Sequence, residues 1–513
     1  MLGTDERMVE LARLFLGEDE DPAGAVGEAL ERGASLSSAP RAAPAGHGPA
    51  EGVQWPGAGR KTSRVADITA VGTRSGASGS AGSVPPGGSL AGLVAEILGS
   101  RLPFRVTTFE GIAVGPDRAS ATLHVRSPEA LVRALQRPGQ LGLARAFVFG
   151  DIDLEGDLVE AIHLASRLDG VRLSPGQWVR LARLAGVDVL RPRRPPPEEI
   201  RLSGRVHSPA RDRTAVSHHY DVSDDFYRLL LGPSMTYSCA LFRSPDDSLE
   251  EAQAAKHDLV ARKLSLEPGM RLLDVGSGWG GMIEHAVAHY GVKAVGVTLS
   301  EHQSGSSRRR LAGVGDVDIR LQDYRQVDDG PFDAICSIGM SEHVGQDQLP
   351  AYFSKLFSLL KPGGRLLNHA ISALPHWRKP GSWPSPLGLR RRSLGRFSSG
   401  SFIGRYIFPD GELVEVGVVV SAMQRAGLEV RHVESLREHY GLTLRRWLAN
   451  LEQNWEAAVG LVGERRARAW RLYLAGSAFS FESGRIAVHQ VLAARPEAGR
   501  SGMPLRPRFE GAG

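Results

Sequence analysis

Only two cysteines, Cys239 and Cys336, occur in 513 residues. Neither a disulfide framework nor a four-thiolate metal site can be built from them, no metal is expected, and a reducing cytoplasm fits. No stretch of 18 consecutive apolar residues occurs, so no membrane-spanning helix is read. The opening MLGTDERMVELARLF lacks a basic segment followed by an apolar one, so no export signal is read either. Charge of one sign is also scarce: 62 Lys and Arg against 57 Asp and Glu leave +5, too small an excess to mark a dedicated nucleic-acid binder. What is present is an ordinary globular mixture, 42% apolar and 23% charged, which excludes a wholly disordered chain. The length suggests about three domains.

Gly (61) and Pro (31) are unevenly spread, and their clusters mark the boundaries. Residues 1–88 are expected to form a disordered leader, because ASLSSAPRAAPAGHGPA and GTRSGASGSAGSVPPGG cannot bury enough apolar surface to offset ordering entropy; a short helix is read within Leu11 to Ala29. Residues 89–190 read as a small α+β domain. It has a helix in LAGLVAEILGS and strands in RVTTFEGIAVG and SATLHVR, followed by helical spacing from a Ser127 cap through SPEALVRALQRPGQLGLARAFVFGDIDLEGDLVEAIHLASRL. The run RPRRPPPEEI opens a linker over 191–205. From there to 494, RLLDVG, AVGVTLS, DIRLQD, FDAICSIG and GRLLNHAIS alternate with helical windows, the pattern of a parallel sheet covered on both faces, and LEVRHVESL and RIAVHQVLA bring the strands to seven. The fold class is therefore α/β, Rossmann-like, and residues 495–513 read as a loose tail.

LLDVGSGWGG places closely spaced glycines between a strand and a helix, where backbone can approach a ligand at the mouth of the sheet. A dinucleotide site calls for an acidic residue about 20 positions on, at the end of the next strand. That strand ends instead in Thr298 and Ser300. Asp274 precedes the glycines, and Asp323 ends the third strand beside an aromatic ring in LQDY, where a carboxylate suits an adenine amine. The combination suits S-adenosylmethionine better than NAD.

Taken in order, HHYDVSDDFYRLLLGPSMTYSCALF, LLDVGSGWGG, GVTLSEHQ, SIGMSEHVG, LLKPGGRLLNHAIS and YIFPDGEL resemble the cyclopropane-fatty-acyl-phospholipid synthase family, whose members include the mycolic acid cyclopropane synthases. The resemblance spans roughly Val206 to Ala493, and GQLGLARAFVFGDIDLEGDL is similar to the N-terminal region of longer bacterial members. It implies a seven-stranded S-adenosylmethionine methyltransferase that adds a methyl group to a cis double bond of a phospholipid acyl chain. In the family a bicarbonate ion is the base, and its ligands fall on Cys239, Glu342, His369, Ile371 and Tyr440. Cofactor contacts fall on Tyr237, Ser238, Gly276, Gly278, Thr298, Leu299, Gln303, Gln322, Asp323 and Ile338. Glu342 also has a reason of its own: it follows the fourth strand, at the carboxyl edge where ligands bind, whereas a structural Glu usually lies on a solvated helix face.

The chain departs from the family at Ser277, where many members have Cys, and at Ser341 and Leu241, which stand in place of aromatic rings near the acyl pocket. This leaves the product open. One cation closes to a cyclopropane or, after a hydride shift, leaves a 10-methylene branch for a separate reductase partner. Because the double bond lies in hydrocarbon, the protein is expected in the cytoplasm, peripheral on the inner face of the membrane. His376 to Phe397, with Trp377, Trp383, Arg390, Arg391, Arg392 and Arg396, suits anionic head groups at about 1 kcal/mol per charge, or else is a solvated loop. A homodimer is a further expectation. Two rivals remain, a methyltransferase for a soluble small molecule and a non-catalytic partner protein; nucleic-acid methylation is weaker, for no recognition motif accompanies the basic loop.

Overall fold

The computed structural model describes residues 88–509 apart from 138, 169–172, 192–193, 201, 203–207, 209–210, 213, 215–222 and 375–400. The leader, its short helix and the basic aromatic stretch His376 to Phe397 lie outside the described residues.

The smaller sheet holds β1 (Arg105–Thr107), β2 (Ala113–Val114), β3 (Ala121–Val125) and β4 (Ile152–Gly156), in the order β2-β1-β3-β4. β4 corrects the helical reading of that stretch. In GDIDLEGD apolar Ile152 and Leu154 alternate with acidic residues between Gly150 and Gly156, both at positive φ, and β4 pairs antiparallel with β3 from Ala121↔Gly156 to Val125↔Ile152. A period of two with glycine stops overrides the helical spacing on either side. The expected cap is also corrected: Pro128 is the N-cap of helix Glu129–Gln136, and the Ser127 hydroxyl donates instead to Asp151 Oδ1 at 2.9 Å.

The larger sheet holds β5 (Arg271–Val275), β6 (Lys293–Thr298), β7 (Val317–Leu321), β8 (Phe332–Ile338), β9 (Leu360–Ala373), β10 (Glu429–Ser435) and β11 (Ile486–Ala494), in the order β10-β11-β9-β8-β5-β6-β7. Each strand lies where the alternating pattern put it. β5 to β9 pair in parallel, and their central members read as nearly continuous apolar runs because helices cover both faces. The wholly parallel expectation is corrected at one strand. β11 runs antiparallel to both β9 and β10, since the helices Arg437–Gln453 and Glu464–Glu482 return the chain to the opposite end of the sheet. None of the described helices is long and apolar enough to cross a membrane.

The small domain is packed onto helix Glu464–Glu482. Arg468 donates to the carbonyls of Phe147 (2.7 Å) and Ile152 (2.9 Å), and Phe147, Val148 and Leu158 share one apolar cluster with Trp470 and Leu474. The stretch read as a linker and the tail expected to be loose are both held. In the linker stretch the Glu199 side chain is fully buried and takes a two-pronged bond from Arg145 at 2.6 and 2.7 Å, while Ile200 N donates to Arg405 O. In the tail, Arg495 donates to the Phe357 and Leu360 carbonyls, Arg431 to that of Pro504 and Arg262 to that of Phe509. Arginine forks satisfy carbonyls that composition alone assigns to solvent.

Arg145→Met would strand the Glu199 carboxylate in a dry setting. It is expected to lower unfolding free energy by about 3–5 kcal/mol, read as a reduced urea midpoint, and Glu199→Gln in the same chain should recover much of the loss.

Candidate active site

The loops after β5, β6, β7 and β8 converge on a cavity of about 260 Å³ at the carboxyl edge of the sheet. Its floor is the glycine turn. Gly276 sits at φ 83° and Gly278 at φ 55°, conformations a side chain would strain, before helix Gly281–Tyr290 begins. Gly296 on the neighbouring β6 lets the turn come close: a Cβ there would lie 2.5 Å from Ile283 Cδ1 and 2.9 Å from Ser277 Oγ.

Tyr237, Ser238, Gly276, Gly278, Thr298, Leu299, Gln303, Gln322 and Ile338 all line this cavity. At the end of β6 Thr298 donates its hydroxyl to Gln303 Oε1 at 2.9 Å, which leaves the amide NH2 as the donor that Gln303 can offer a ribose. Asp323 is the exception. It caps the short turn Tyr324–Gln326, accepting from Arg325 N at 3.0 Å, and its carboxylate is paired with the Arg325 guanidinium at 2.6 Å, so Tyr324 and Arg325 face the cavity in its place.

The five residues assigned to the anion are not among those that line the cavity, and a chain of bonds links them. Glu342, in the turn Ser341–His343 after β8, accepts from Ile371 N of β9 at 2.8 Å through Oε1; its Oε2 is buried with no hydrogen-bond partner. Burial pushes its carboxyl up to about 7, opposed by the Ile371 N–H. His369 stands two residues before Ile371, on the same face of β9, and Gly339 N, just after β8, donates to its carbonyl at 2.8 Å. Its ring is buried, with Nε2 unpartnered, and burial together with the charges of Lys256 and Lys263 holds it neutral. Cys239 is fully buried. Its thiol is pushed up by burial and directs its hydrogen to the carbonyls of Ala240 and Leu436, so its side chain is inert. Leu436 O also accepts from Tyr440 N, and Leu436 N donates to Val488 O, the residue paired with Ile371. Tyr440 packs its ring 4.5 Å from Phe481.

Lys256, Trp447 and Trp470 carried no motif. Lys256, from helix Leu249–Leu264, lines the cavity and donates to Ser238 Oγ at 3.0 Å; burial lowers its ammonium to about 8. Burial raises Asp274 to about 6. A lysine and an aspartate on one cavity floor match the carboxylate and ammonium of an amino-acid group. The ring of Tyr237 lines the cavity and is backed by Trp447, Trp470 and Tyr473, with Tyr237 5.2 Å from Trp447 and its hydroxyl donating to Tyr473 at 2.9 Å. The tryptophans are far apart in sequence, so their convergence could be found only from the fold. Ser341 and Leu241, which lack the family's rings, are respectively buried and packed against this apolar cluster.

Known proteins share this architecture. A family model described as mycolic acid cyclopropane synthetase matches residues 207–491. A probable fatty acid methyltransferase of Mycobacterium tuberculosis is 41% identical over 423 residues, covering 80% of this chain and 95% of its own. A probable fatty acid methyltransferase of Pseudomonas putida is 40% identical over 415 residues, covering 80% and 96%. Matches of that length cannot fit after residue 207, so they include much of the smaller domain. The solved structure of the cyclopropane synthase MmaA2 of Mycobacterium tuberculosis superposes with a TM-score of 0.50 at 37% identity, covering 55% of this chain and 98% of that one.

Because the folded state binds a proton at Glu342 more tightly than the unfolded state, its burial costs little below the ordinary carboxyl range, and the cost grows as pH rises to about 7. Glu342→Gln should therefore stabilise the chain by roughly 3 kcal/mol at about pH 8 and by much less at about pH 5. An equal effect at both pH values, measured by denaturant titration, would count against a raised carboxyl.

Proposed function

The chain belongs to the mycolic acid cyclopropane synthetase family of S-adenosylmethionine-dependent methyltransferases, and on that premise we propose that it methylates a cis double bond of a phospholipid acyl chain and closes a cyclopropane ring. S-adenosylmethionine supplies an electrophilic methyl carbon. The alkene π pair forms the new C–C bond while the S–C bond breaks with its electrons going to sulfur. The resulting carbocation loses a proton from the added methyl, and that C–H pair closes the ring.

The chain's residues have three tasks in this scheme. Gly276, Gly278 and the Thr298–Gln303 pair would hold the donor, and an alkene, being a feeble nucleophile, depends on that placement. The ring of Tyr237, held in place by Trp447 and Trp470 behind it, stabilises the cation, and this apolar backing excludes water. Glu342 and His369 then hold the group that receives the proton.

One observation carries the reading: Glu342 Oε2 and His369 Nε2 are both buried and unpartnered at the edge of the sheet, an arrangement costly unless something binds them. A carboxyl raised to about 7 and a neutral imidazole can each donate a hydrogen bond, so the pair fits bicarbonate, which when bound supplies the base. A site for an amine or hydroxyl acceptor needs no such pair.

A second product, the 10-methylene branch finished by a partner reductase, shares every step up to the cation. It is favoured by the relatives that match most of this chain, which are called fatty acid methyltransferases, whereas the shorter MmaA2 is called a cyclopropane synthase. In either case the protein works at the cytoplasmic membrane surface, where the basic aromatic stretch His376 to Phe397 supplies head-group attraction.

Purified protein with S-adenosylmethionine and oleoyl liposomes is expected to add one carbon at the alkene and to leave saturated liposomes unchanged. Glu342→Gln should slow this turnover by about 100-fold or more while cofactor affinity stays within a few-fold. Undiminished turnover would remove Glu342 from the site.

A further inference from the structure

Four adjacent strands place one residue each in a row. Glu434 of β10 is paired with Gln490 of β11, Gln490 with His369 of β9, and His369 with Ile338 of β8. Over this row lies Lys263, from helix Leu249–Leu264, its side chain wholly buried. Its ammonium pairs with Glu434 Oε2 and donates to Gln490 Oε1 at 2.7 Å, and the ring of Phe509 lies 5.8 Å away.

These contacts leave little freedom. An ammonium only donates, so it fixes the Gln490 amide with its oxygen toward Lys263 and its NH2 toward His369. Gln490 Nε2 lies 3.2 Å from His369 Nδ1. An NH2 group only donates, so Nδ1 must accept, and the proton of the neutral ring is then on Nε2. Among the described residues Nε2 is buried without a hydrogen-bond partner.

We propose that Lys263 and Gln490 are positioning residues: through the direction of one amide they fix the tautomer of His369, so that its Nε2 presents N–H rather than a lone pair to the anion pocket, and methyl transfer depends on that choice. The inference rests on the reading of His369 as a ligand of that pocket. Neither residue touches substrate or cofactor. Gln490 acts through His369 and Lys263 acts through Gln490, in the way that the partners of a metal-bound histidine choose its nitrogen. A glutamine present only to satisfy Lys263 would not need its NH2 against an imidazole.

The test is the nitrogen chemistry of His369, read by 15N NMR of the full chain labelled at histidine, with the signal assigned by its loss in His369→Asn. The wild-type ring is expected to be protonated at Nε2 and bare at Nδ1; the opposite pattern overturns the proposal outright. In Gln490→Glu the new carboxylate stays paired with Lys263 and can only accept from His369, so the proton should move to Nδ1. kcat for methyl transfer to oleoyl liposomes should then fall by about 100-fold with KM for S-adenosylmethionine unchanged. Lys263→Met, which frees the amide to turn, should give both tautomers and an intermediate kcat. An unmoved proton in Gln490→Glu, or a moved proton with full activity, refutes the relay. Failure of the wild-type enzyme to methylate any lipid would instead defeat the functional reading, while the spectra would still report the tautomer.

Discussion

A buried carboxyl joined to the sheet by a single backbone hydrogen bond sets the terms for the rest of this structure. Glu342 Oε1 takes the N–H of Ile371, which ties the turn after β8 to the middle of β9, and the other oxygen is left without a partner. Holding a polar atom in that condition costs free energy comparable to a lost hydrogen bond or more. The surrounding fold must therefore supply packing enough to tolerate it: a sheet apolar on both faces, with the clusters of helices Arg437–Gln453 and Glu464–Glu482 closing over one side. The small domain contributes to that closure, because Phe147, Val148 and Leu158 belong to the same apolar cluster as Tyr440 and Trp447.

The polar groups in this dry region are sorted by what they can give. Arg and Lys donors are spent on carbonyls and carboxylates that the fold has already buried, as Arg468 is on Phe147 O and Lys263 on Gln490 Oε1. Groups with capacity left over occur in both parts of the site: Lys256, Asp274 and the Gln303 amide line the cavity, while Glu342 and His369, which do not line it, each keep a buried atom without a hydrogen-bond partner among the described residues. That division suits a reaction in which a charged donor molecule is gripped in the cavity and a proton is collected beside it.

Much of this was legible in the sequence. The seven strands of the larger sheet and the glycine turn come from local pattern and motif, because alternation and turn chemistry act within a few residues; the cofactor positions come from the family resemblance, and nine of the ten line the cavity. What was not legible depends on long-range pairing. The reversal of β11 is set by where two helices deliver the chain, and nothing in RIAVHQVLA records it. β4 was hidden because its five residues sit between two helical windows. Asp323 also caps the turn after β7 and pairs with Arg325, a contact that the motif does not record. Lys256, Lys263, Gln490, Trp447 and Trp470 lie on ordinary helices and strands and acquire their roles only when distant segments meet. The two stretches read as linker and tail are held by arginine forks, an interaction that Pro and Gly content does not report.

The central claim, that an alkene attacks the donor methyl and that the added carbon then loses a proton inside the protein, is tested most directly by isotope retention. With S-adenosylmethionine carrying a fully deuterated methyl group and an oleoyl phospholipid as acceptor, the account requires one of the three deuterons to be lost, leaving a CD2 unit in the product whether ring or methylene. Transfer of an intact CD3 group to oxygen or nitrogen, with the double bond untouched, would contradict it.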